Sequence, residues 1–296
     1  MNEKQLNRMH NDPGFIAALD QSGGSTPKAL LAYGLDETAY SNDEEMFNRV
    51  HEMRTRIIKT PSFNSDGILA AILFENTMDR QIDGKYTADY LWEEKGIVPF
   101  LKIDKGLAEE ENHVKLMKPI PNLAETMTHA VQDRHIFGTK ERSVIYDYDE
   151  KGIRDVIAQQ FDIALQVWAA GAVAIIEPEV DIHNPHKAES EEFMLKVIHE
   201  HLDKLDADVK VMFKLTIPTV DNLYADLMKN PHVVRVVALS GGYSQDDACQ
   251  RLSHNHGMIA SFSRAFAQDL KYKQTDEEFD STVKAAIKKI YEASVA

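Results

Sequence analysis

The chain has 296 residues, of which 43% are hydrophobic and 27% charged, a composition typical of a globular protein with one large domain or two ordinary ones. Its net charge of −15 disfavours binding to nucleic acid or to an acidic membrane surface, because both depend on basic side chains, and no stretch approaches the roughly 20 apolar residues of a transmembrane helix. One cysteine, Cys249, excludes an intramolecular disulfide, and the amino terminus has no apolar signal segment, so a cytoplasmic protein is expected.

Short apolar runs alternate along the chain with segments of helical periodicity. The clearest helical segment, residues 153–168, has apolar side chains at i, i+3 and i+4 spacing. Alternation of strand and helix predicts a parallel sheet with right-handed crossovers. Eight such units in a chain of this length predict an α/β fold of the closed (β/α)8 TIM barrel type, with an open doubly wound sheet as the alternative. The predicted strands are residues 15–19, 68–74, 98–103, 143–146, 172–176, 209–213, 233–239 and 258–262, and the other predicted helices are residues 43–58, 123–134, 189–205, 220–229, 245–254 and 277–293.

The chain shows no sign of division into several domains. It has no low-complexity linker and no sharp change of composition, so residues 1–296 are expected to form a single domain. No GxGxxG motif follows the first predicted strand and no P-loop is present, which counts against nucleotide-binding folds.

Lys214 interrupts an apolar run, residues 209–215, that otherwise has the composition of a buried strand. Burial disfavours the charged ammonium, and a neutral lysine amine is the nucleophile of Schiff-base chemistry. The preceding apolar run leads directly into two carboxylates, Glu177 and Glu179. A lysine and two carboxylates at the ends of buried strands predict imine formation with acid–base partners. A purely structural ion pair between lysine and glutamate is the alternative.

Other polar side chains lie near the ends of the remaining predicted strands. Asp20 follows the first strand and Lys102 ends the third. Lys140 and Arg142 precede or open the fourth. Because the carboxyl ends of barrel strands converge on the face where active sites lie, these residues are expected to gather with Lys214 on that face.

Two groups of residues at strand ends have the composition of anion sites. Glycines let backbone N–H groups approach an oxyanion, and barrels often bind phosphate after strands seven and eight. Ser240-Gly241-Gly242 and Ser263-Arg264 lie there, and the guanidinium supplies a fork of donors. A second anion site is predicted from Ser22, Ser25 and Lys102. Two phosphate sites that face one reactive lysine predict a doubly phosphorylated carbonyl substrate.

His183 and His186 are the candidates for metal ligands. They lie in a polar loop without further ligands at a fixed spacing, so a solvated loop is expected rather than a metal site. Neither a catalytic metal nor a cofactor is predicted, the expected partner is a small phosphorylated substrate, and the sequence leaves the oligomeric state open.

Seven short motifs lie at or near the strand ends, in the order Ala17-Ala-Leu-Asp-Gln-Ser-Gly-Gly-Ser25, Leu73-Phe-Glu75, Lys102-Ile-Asp-Lys-Gly106, Ile176-Glu-Pro-Glu179, the strand bearing Lys214, Leu239-Ser-Gly-Gly242 and Ser261-Phe-Ser-Arg264. Each motif alone is weak, but in this order and spacing they resemble the class I (Schiff-base) fructose-1,6-bisphosphate aldolases in a short bacterial form. The resemblance extends from about Gly14 to about Phe266. It implies a TIM-barrel lyase of glycolysis and gluconeogenesis. Such an enzyme reversibly cleaves fructose 1,6-bisphosphate to dihydroxyacetone phosphate and glyceraldehyde 3-phosphate through a lysine imine, without a metal.

The resemblance also implies a role for each candidate residue. Lys214 matches the imine-forming lysine, and Asp20 matches the aspartate that takes the proton from the hydroxyl on carbon 4. Glu177 matches the glutamate that moves protons during carbinolamine formation and dehydration. Lys140 matches the lysine that supports the carbinolamine and the carbon 4 oxygen, and Glu179 matches a second carboxylate beside the imine. The residues matched to substrate binding are Ser240, Gly241 and Arg264, with Gly242 and Ser263 next to them, for the phosphate on carbon 1, then Ser22, Ser25 and Lys102 for the phosphate on carbon 6, and the basic Arg142.

The sequence departs from the family pattern at several positions. Gln21 replaces an acid common in the animal enzymes, and Ser263 stands where a glycine is usual. Leu215 and Glu141 replace a proline and a tryptophan. The animal enzymes end in a flexible tail whose terminal tyrosine is implicated in proton exchange on the enamine. Tyr291 lies in a predicted helix and is not assigned that role.

Three other readings remain open from the residues. A transaldolase or a deoxyribose-phosphate aldolase would share the lysine but not the pair of anion sites. A metal-dependent aldolase would need a cluster of histidines and carboxylates. A binding or scaffold protein would require that Lys214, Asp20 and Glu177 be purely structural.

Overall fold

The computed structural model describes residues 2–296, which contain eight parallel strands. They are β1 (Phe15–Leu19), β2 (Ile68–Leu73), β3 (Val98–Lys102), β4 (Gly138–Ile145), β5 (Val173–Val180), β6 (Val211–Thr216), β7 (Val233–Leu239) and β8 (Ile259–Phe262). Each strand pairs with the next, and β8 pairs with β1. The pairing of β3 with β4, with Lys102 opposite Lys140, completes the ring. The predicted (β/α)8 barrel is therefore confirmed, and the open doubly wound sheet is wrong.

Helices surround this ring. Six predicted helices, at residues 43–58, 123–134, 153–168, 189–205, 245–254 and 277–293, are confirmed with ends shifted by a few residues, whereas the helices at residues 3–11, 26–33, 75–78, 87–95 and 264–267 were not predicted. The helices are α1 (Glu3–Asn11), α2 (Thr26–Tyr33), α3 (Asp43–Lys59), α4 (Glu75–Met78), α5 (Thr87–Lys95), α6 (Leu123–Thr128), α7 (Glu150–Ala169), α8 (Lys187–Leu202), α9 (Gln245–Ser253), α10 (Arg264–Ala267) and α11 (Asp276–Ser294). Smaller elements are the 3-10 turns Gly23–Ser25, Glu37–Ala39 and Leu227–Lys229, the π turn His129–Asp133 that continues α6, the hairpin of Gln81–Ile82 with Lys85–Tyr86, and Val114–Lys115, which pairs antiparallel with β4.

Side-chain caps explain where several helices begin. Asn42 accepts a hydrogen bond from the backbone N–H of Glu45 and so starts α3. At α11, Thr275 and Glu278 form a reciprocal capping box, which satisfies two N–H groups that the helix itself leaves free. Long helices on the outside of the barrel are therefore anchored by their local sequence as well as by their apolar faces.

The barrel has two buried apolar layers, one inside the ring and one between the ring and the helices. Successive side chains of a strand point to opposite faces, so residues two apart share a face. Ala18, Ile175 and Met212 belong to the inner layer. The residue two positions after each of these three is charged: Asp20, Glu177 and Lys214, respectively. The same alternation that fills the barrel thus continues into a charged layer at its carboxyl end. The inner side chains of the other strands include Phe100, Val237 and Ile259.

The fourth predicted strand began too late. It was predicted at residues 143–146, but β4 starts at Gly138, so Lys140 and Arg142 lie within the strand instead of preceding or opening it. The apolar pattern misses the first half of β4 because this half carries charged side chains, and the ion-pair partners of Lys140 and Arg142 come from distant parts of the chain. Similarly, β5 continues to Val180, and Glu177 and Glu179 both lie within it.

The helix predicted at residues 220–229 is wrong. This segment forms turns, followed only by the 3-10 turn at Leu227–Lys229. Asn222 has a left-handed backbone with φ 63°, and its N–H donates to the side chain of Asn255. An α-helix cannot pass through such a residue, since every helical residue has negative φ.

The amino-terminal end of the barrel is closed by α1. Met9 is fully buried in the inner apolar layer, and the guanidinium of Arg235 donates to the carbonyls of Met9 and Asp12. Helix α11 also reaches this end, where the Tyr291 ring lies beside Gly67, just before β2. Among residues 2–296, no helix has the length and apolar character needed to cross a membrane.

Candidate active site

Lys140 lies at the centre of a buried cluster of charged side chains. Its Nζ is 2.8 Å from Asp20 Oδ2, 3.0 Å from Glu177 Oε2 and 3.9 Å from Asp104 Oδ2. The strands β4 and β5 and the segments that follow β1 and β3 supply these groups. Side chains from four strands, or from the segments that follow them, therefore meet at one ammonium, as the sequence predicted for Lys140, Asp20 and Glu177.

The charges in this cluster compensate one another. Burial alone would lower the pKa of Lys140, but Asp20, Glu177 and Asp104 raise it above its usual range. Burial alone would raise the pKa of Asp20, but the charges of Lys140 and Lys214 outweigh it and hold this pKa well below the usual range. Lys140 is therefore an ammonium and Asp20 a carboxylate at neutral pH.

Lys214 meets the cluster through Glu177. Its Nζ lies 3.1 Å from Glu177 Oε1, while the other oxygen of the same carboxylate faces Lys140. Lys214 is the fourth residue of β6, and its side chain is 6% exposed. The backbone of Glu177 is fixed from outside, where its N–H donates to the side chain of Gln160 on α7 at 2.7 Å. One carboxylate is thus placed to exchange protons with either lysine.

Arg142 and Glu179 form a second ion pair in the same two strands. Arg142 Nε donates to Glu179 Oε2 at 2.6 Å. Burial would lower the pKa of Arg142, but Glu179 raises it above its usual range. Each residue lies two positions beyond a member of the central cluster, Lys140 or Glu177. The pair is therefore the next layer towards the mouth of the barrel, and Glu179 has a cation partner of its own.

The loop after β7 contains the first predicted anion group. Ser240 is buried, and Gly241 and Gly242 have positive φ values of 61° and 114°. A Cβ added to Gly242 would lie 3.8 Å from Arg264 Nη2. The structure thus brings together the predicted group Ser240, Gly241, Gly242 and Arg264, with Ser263 immediately before the arginine.

The loop after β1 has a self-contained turn. The Ser22 N–H donates to Ser25 Oγ at 2.9 Å, and this hydroxyl donates back to the Ser22 carbonyl at 2.7 Å. Lys102, at the end of β3, pairs with Asp104 at 2.8 Å. The second predicted anion group is therefore made of an exposed serine turn and a lysine that already has a carboxylate partner.

Sequence reasoning missed two buried groups of this site. Asp104 lies two residues after Lys102, in phase with the inward face of β3, and this spacing could have identified it. Arg54 lies on the buried face of α3, and its spacing from Val50 marks it as a charged residue at a core position. Its Nη2 donates to the carbonyl of Gln21 at 2.5 Å. Burial lowers the pKa of Arg54 to about 10, against the opposite effect of Asp20.

The candidate metal ligands do not form a cluster. His186 Nδ1 lies 2.8 Å from Asp147 at an exposed position, which fits the solvated loop expected for it. Within residues 2–296, no group of three or more histidine, cysteine or acidic side chains is placed to hold a metal ion.

Comparison with known proteins identifies the family. No family model matches the chain. The chain is 64% identical over 295 residues to the class 1 fructose-bisphosphate aldolase of Clostridium acetobutylicum, and the match covers 100% of both chains. The structure resembles that of the fructose-bisphosphate aldolase of Plasmodium falciparum, with a TM-score of 0.74 over 99% of this chain and 94% of that one. At 18% identity, this second likeness supports the fold alone. Full-length identity of 64% shows that the chain belongs to the class 1 fructose-bisphosphate aldolases.

Proposed function

We propose that Lys214 forms an imine with carbon 2 of fructose 1,6-bisphosphate, and that Asp20, Glu177 and Lys140 perform the proton transfers of its cleavage. The observation that carries this proposal is the buried arrangement in which Glu177 touches both lysines while Lys140 also touches Asp20. The products are dihydroxyacetone phosphate and glyceraldehyde 3-phosphate.

Imine formation uses the pair of Lys214 and Glu177. Glu177, 3.1 Å from Lys214 Nζ, takes a proton from the ammonium, and the neutral amine adds to the ketone carbon; transfer of a proton from nitrogen to oxygen gives the carbinolamine. The protonated Glu177 then donates its proton to the carbinolamine hydroxyl, which leaves as water. Lys140, 3.0 Å from the other oxygen of Glu177, donates a hydrogen bond to the carbinolamine oxygen. The product is a protonated imine, whose positive charge attracts electrons from the neighbouring bonds.

Bond cleavage uses the pair of Asp20 and Lys140. Asp20 takes the proton from the hydroxyl on carbon 4, and the electrons of the bond between carbons 3 and 4 move into the imine. Glyceraldehyde 3-phosphate leaves and an enamine remains on Lys214. Protonation at carbon 3 and addition of water then release dihydroxyacetone phosphate and restore the amine. Glu179, held by Arg142, is assigned to the outer part of the site, where it orients that arginine towards the substrate.

Two loops are assigned to the two phosphates. Arg264 and the backbone around Gly241 and Gly242 support binding of the phosphate on carbon 1, since this loop combines positive φ with a nearby guanidinium. Ser240 and Ser263 border it, and Ser22, Ser25 and Lys102 are assigned to the phosphate on carbon 6. We assign the reaction to the cytoplasm. This assignment is supported by the cysteine content, because a chain with a single cysteine cannot form an intramolecular disulfide.

Borohydride trapping tests the proposal. The protein is mixed with dihydroxyacetone phosphate, reduced with borohydride and mapped by peptide mass spectrometry, with Lys214→Ala as the comparison. We expect a phosphate-bearing adduct on Lys214, and loss of both adduct and cleavage in the variant, because no other amine replaces the nucleophile. Cleavage that persists without any adduct and stops on addition of a chelator would overturn the imine mechanism in favour of a metal-dependent one.

A further inference from the structure

Gln21 and Ser263 link the loops after the first and last strands of the barrel. The strands β1 and β8 pair at Ile16 with Ser261 and at Ala17 with Phe262. Beyond these pairs, Gln21 Nε2 donates a hydrogen bond to Ser263 Oγ at 2.7 Å. The bond therefore joins the loop that carries Asp20 to the residue that directly precedes Arg264.

Arg54 fixes the orientation of the Gln21 amide. This guanidinium is 1% exposed, and its Nη2 lies 2.5 Å from the Gln21 carbonyl and 3.4 Å from Gln21 Oε1. Its Nη1 donates to Thr77 Oγ1, which holds it from the other side. Because a guanidinium only donates, the amide oxygen must face Arg54, and this leaves the amide nitrogen to face Ser263.

The orientation of the Gln21 amide leaves the hydroxyl hydrogen of Ser263 free to donate a hydrogen bond. The amide nitrogen of Gln21 donates, so Ser263 Oγ accepts and its hydroxyl hydrogen is left for another acceptor. Arg264 follows in the chain, and its Nη2 lies near Gly242. An anion bound between Gly242 and Arg264 is an acceptor of the right charge for this hydrogen.

We propose that Gln21 is a positioning residue for the substrate phosphate: it holds Ser263 so that the Ser263 hydroxyl donates to the phosphate beside Arg264. The inference rests on the proposed function, which assigns the phosphate on carbon 1 to that loop. A carboxylate at position 21 would accept the hydroxyl hydrogen of Ser263 and so remove it from the phosphate. The amide therefore acts through the serine without touching the substrate.

Steady-state kinetics of fructose 1,6-bisphosphate cleavage test this role. The variants are Gln21→Met, Ser263→Ala and the double variant, with thermal unfolding measured for each. Loss of one hydrogen bond is expected to raise KM by about three- to tenfold in each single variant, with a smaller change in kcat, because the phosphate does not react. Since Gln21 acts through Ser263, the KM of the double variant should equal that of Ser263→Ala. An unchanged KM in Gln21→Met, or a double variant with the product of both effects, would overturn the proposal.

Two further variants sharpen the test. Gln21→Glu keeps the size of the side chain but replaces the donor by an acceptor, so its KM should exceed that of Gln21→Met; an equal or lower KM contradicts the proposed orientation.

Gln166→Met is the matched control, because Gln166 is exposed on α7 and its side chain bonds only to Asp162. A rise in KM of the same size in this control would also overturn the proposal. If the wild-type protein forms no borohydride adduct with dihydroxyacetone phosphate, the proposed function itself fails; if it does and the variants keep their KM, only this inference fails.

Discussion

Lys140 and Asp20 acquire their protonation states from each other. A buried ammonium or carboxylate without a partner would lose its charge, since desolvation disfavours the ionised form. Here the Lys140 ammonium contacts Asp20 at 2.8 Å, and the pKa of Asp20 is held well below its usual range against the effect of burial. An ionised Asp20 is what removal of the carbon 4 hydroxyl proton requires. In the proposed mechanism, the ion pair within the buried cluster therefore also keeps the proposed base ionised.

Glu141 shows the opposite behaviour on the outer face of the same strand. It is fully buried, its nearest donor is Thr139 Oγ1 at 3.4 Å, and burial followed by the charge of Asp104 raises its pKa well above the usual range. Because its pKa is higher in the folded chain, the contribution of Glu141 to stability is complete below the unfolded pKa of about 4.3 and declines as the pH rises towards the folded pKa. We expect Glu141→Gln to gain thermal stability over the wild-type protein, with a gap that widens from about pH 5.5 to about pH 8.

Thermal unfolding of both proteins across this pH range checks the prediction. Glu110→Gln is the matched control, because Glu110 is exposed and its substitution should give a difference that does not change with pH. If the gap between Glu141→Gln and the wild-type protein were also independent of pH, Glu141 would be ionised in the folded state and the argument would be wrong.

At the scale of the element, β4 shows what the sequence could and could not predict. Seven strands were found as apolar runs, because buried strands of a parallel sheet carry a continuous apolar signal. The first half of β4 carries instead Lys140, Glu141 and Arg142, and the ion-pair partners of Lys140 and Arg142 come from other parts of the chain. No local pattern contains that information. Asp20, Glu177 and Lys214 were predictable because each directly ends or interrupts an apolar run. Arg54 was missed because its partners lie in two distant parts of the chain, the loop after β1 and helix α4.

The loop after β7 gives a prediction about backbone geometry. Gly241 has φ 61°, and a Cβ there would lie 2.6 Å from Ile182 Cγ2. Gly241→Ala should displace the loop and raise the KM for fructose 1,6-bisphosphate by about tenfold, because left-handed strain and overpacking each cost about 1–2 kcal/mol.

Gly84→Ala is the matched control for this substitution. Gly84 also has a positive φ, 83°, but nothing lies within 4 Å of an added Cβ, and it belongs to the turn of the small hairpin. Both variants should lose thermal stability, whereas only Gly241→Ala should change KM. Equal KM values for the two variants would show that the loop after β7 does not contact the substrate phosphate.

At the scale of the whole molecule, the two ends of the barrel differ in what they carry: charged side chains at one end and packed helices at the other. The carboxyl end carries the charged cluster, whereas the amino end is closed by α1 and contacted by the last turns of α11. Ser294 Oγ accepts a hydrogen bond from the N–H of Ala260, near the start of β8, and His256 Nδ1 lies 3.2 Å from the carbonyl of Ala296. The carboxyl-terminal residues are thus bound at the end of the barrel away from Lys214.

This arrangement predicts that Tyr291 takes no part in proton exchange on the enamine. Its ring packs beside Gly67 at the amino end of β2, whereas Lys214 belongs to the charged cluster towards the carboxyl end of the barrel. Exchange of the carbon 3 proton of dihydroxyacetone phosphate in deuterated water can be followed by NMR. Tyr291→Phe should retain the wild-type exchange rate within about twofold, whereas Lys214→Ala should lose exchange, because general acid–base catalysis requires a group within hydrogen-bond reach of the reacting atom. A loss of about tenfold or more in Tyr291→Phe would contradict the prediction, because Tyr291 could reach carbon 3 only if α11 detached from the amino end during turnover.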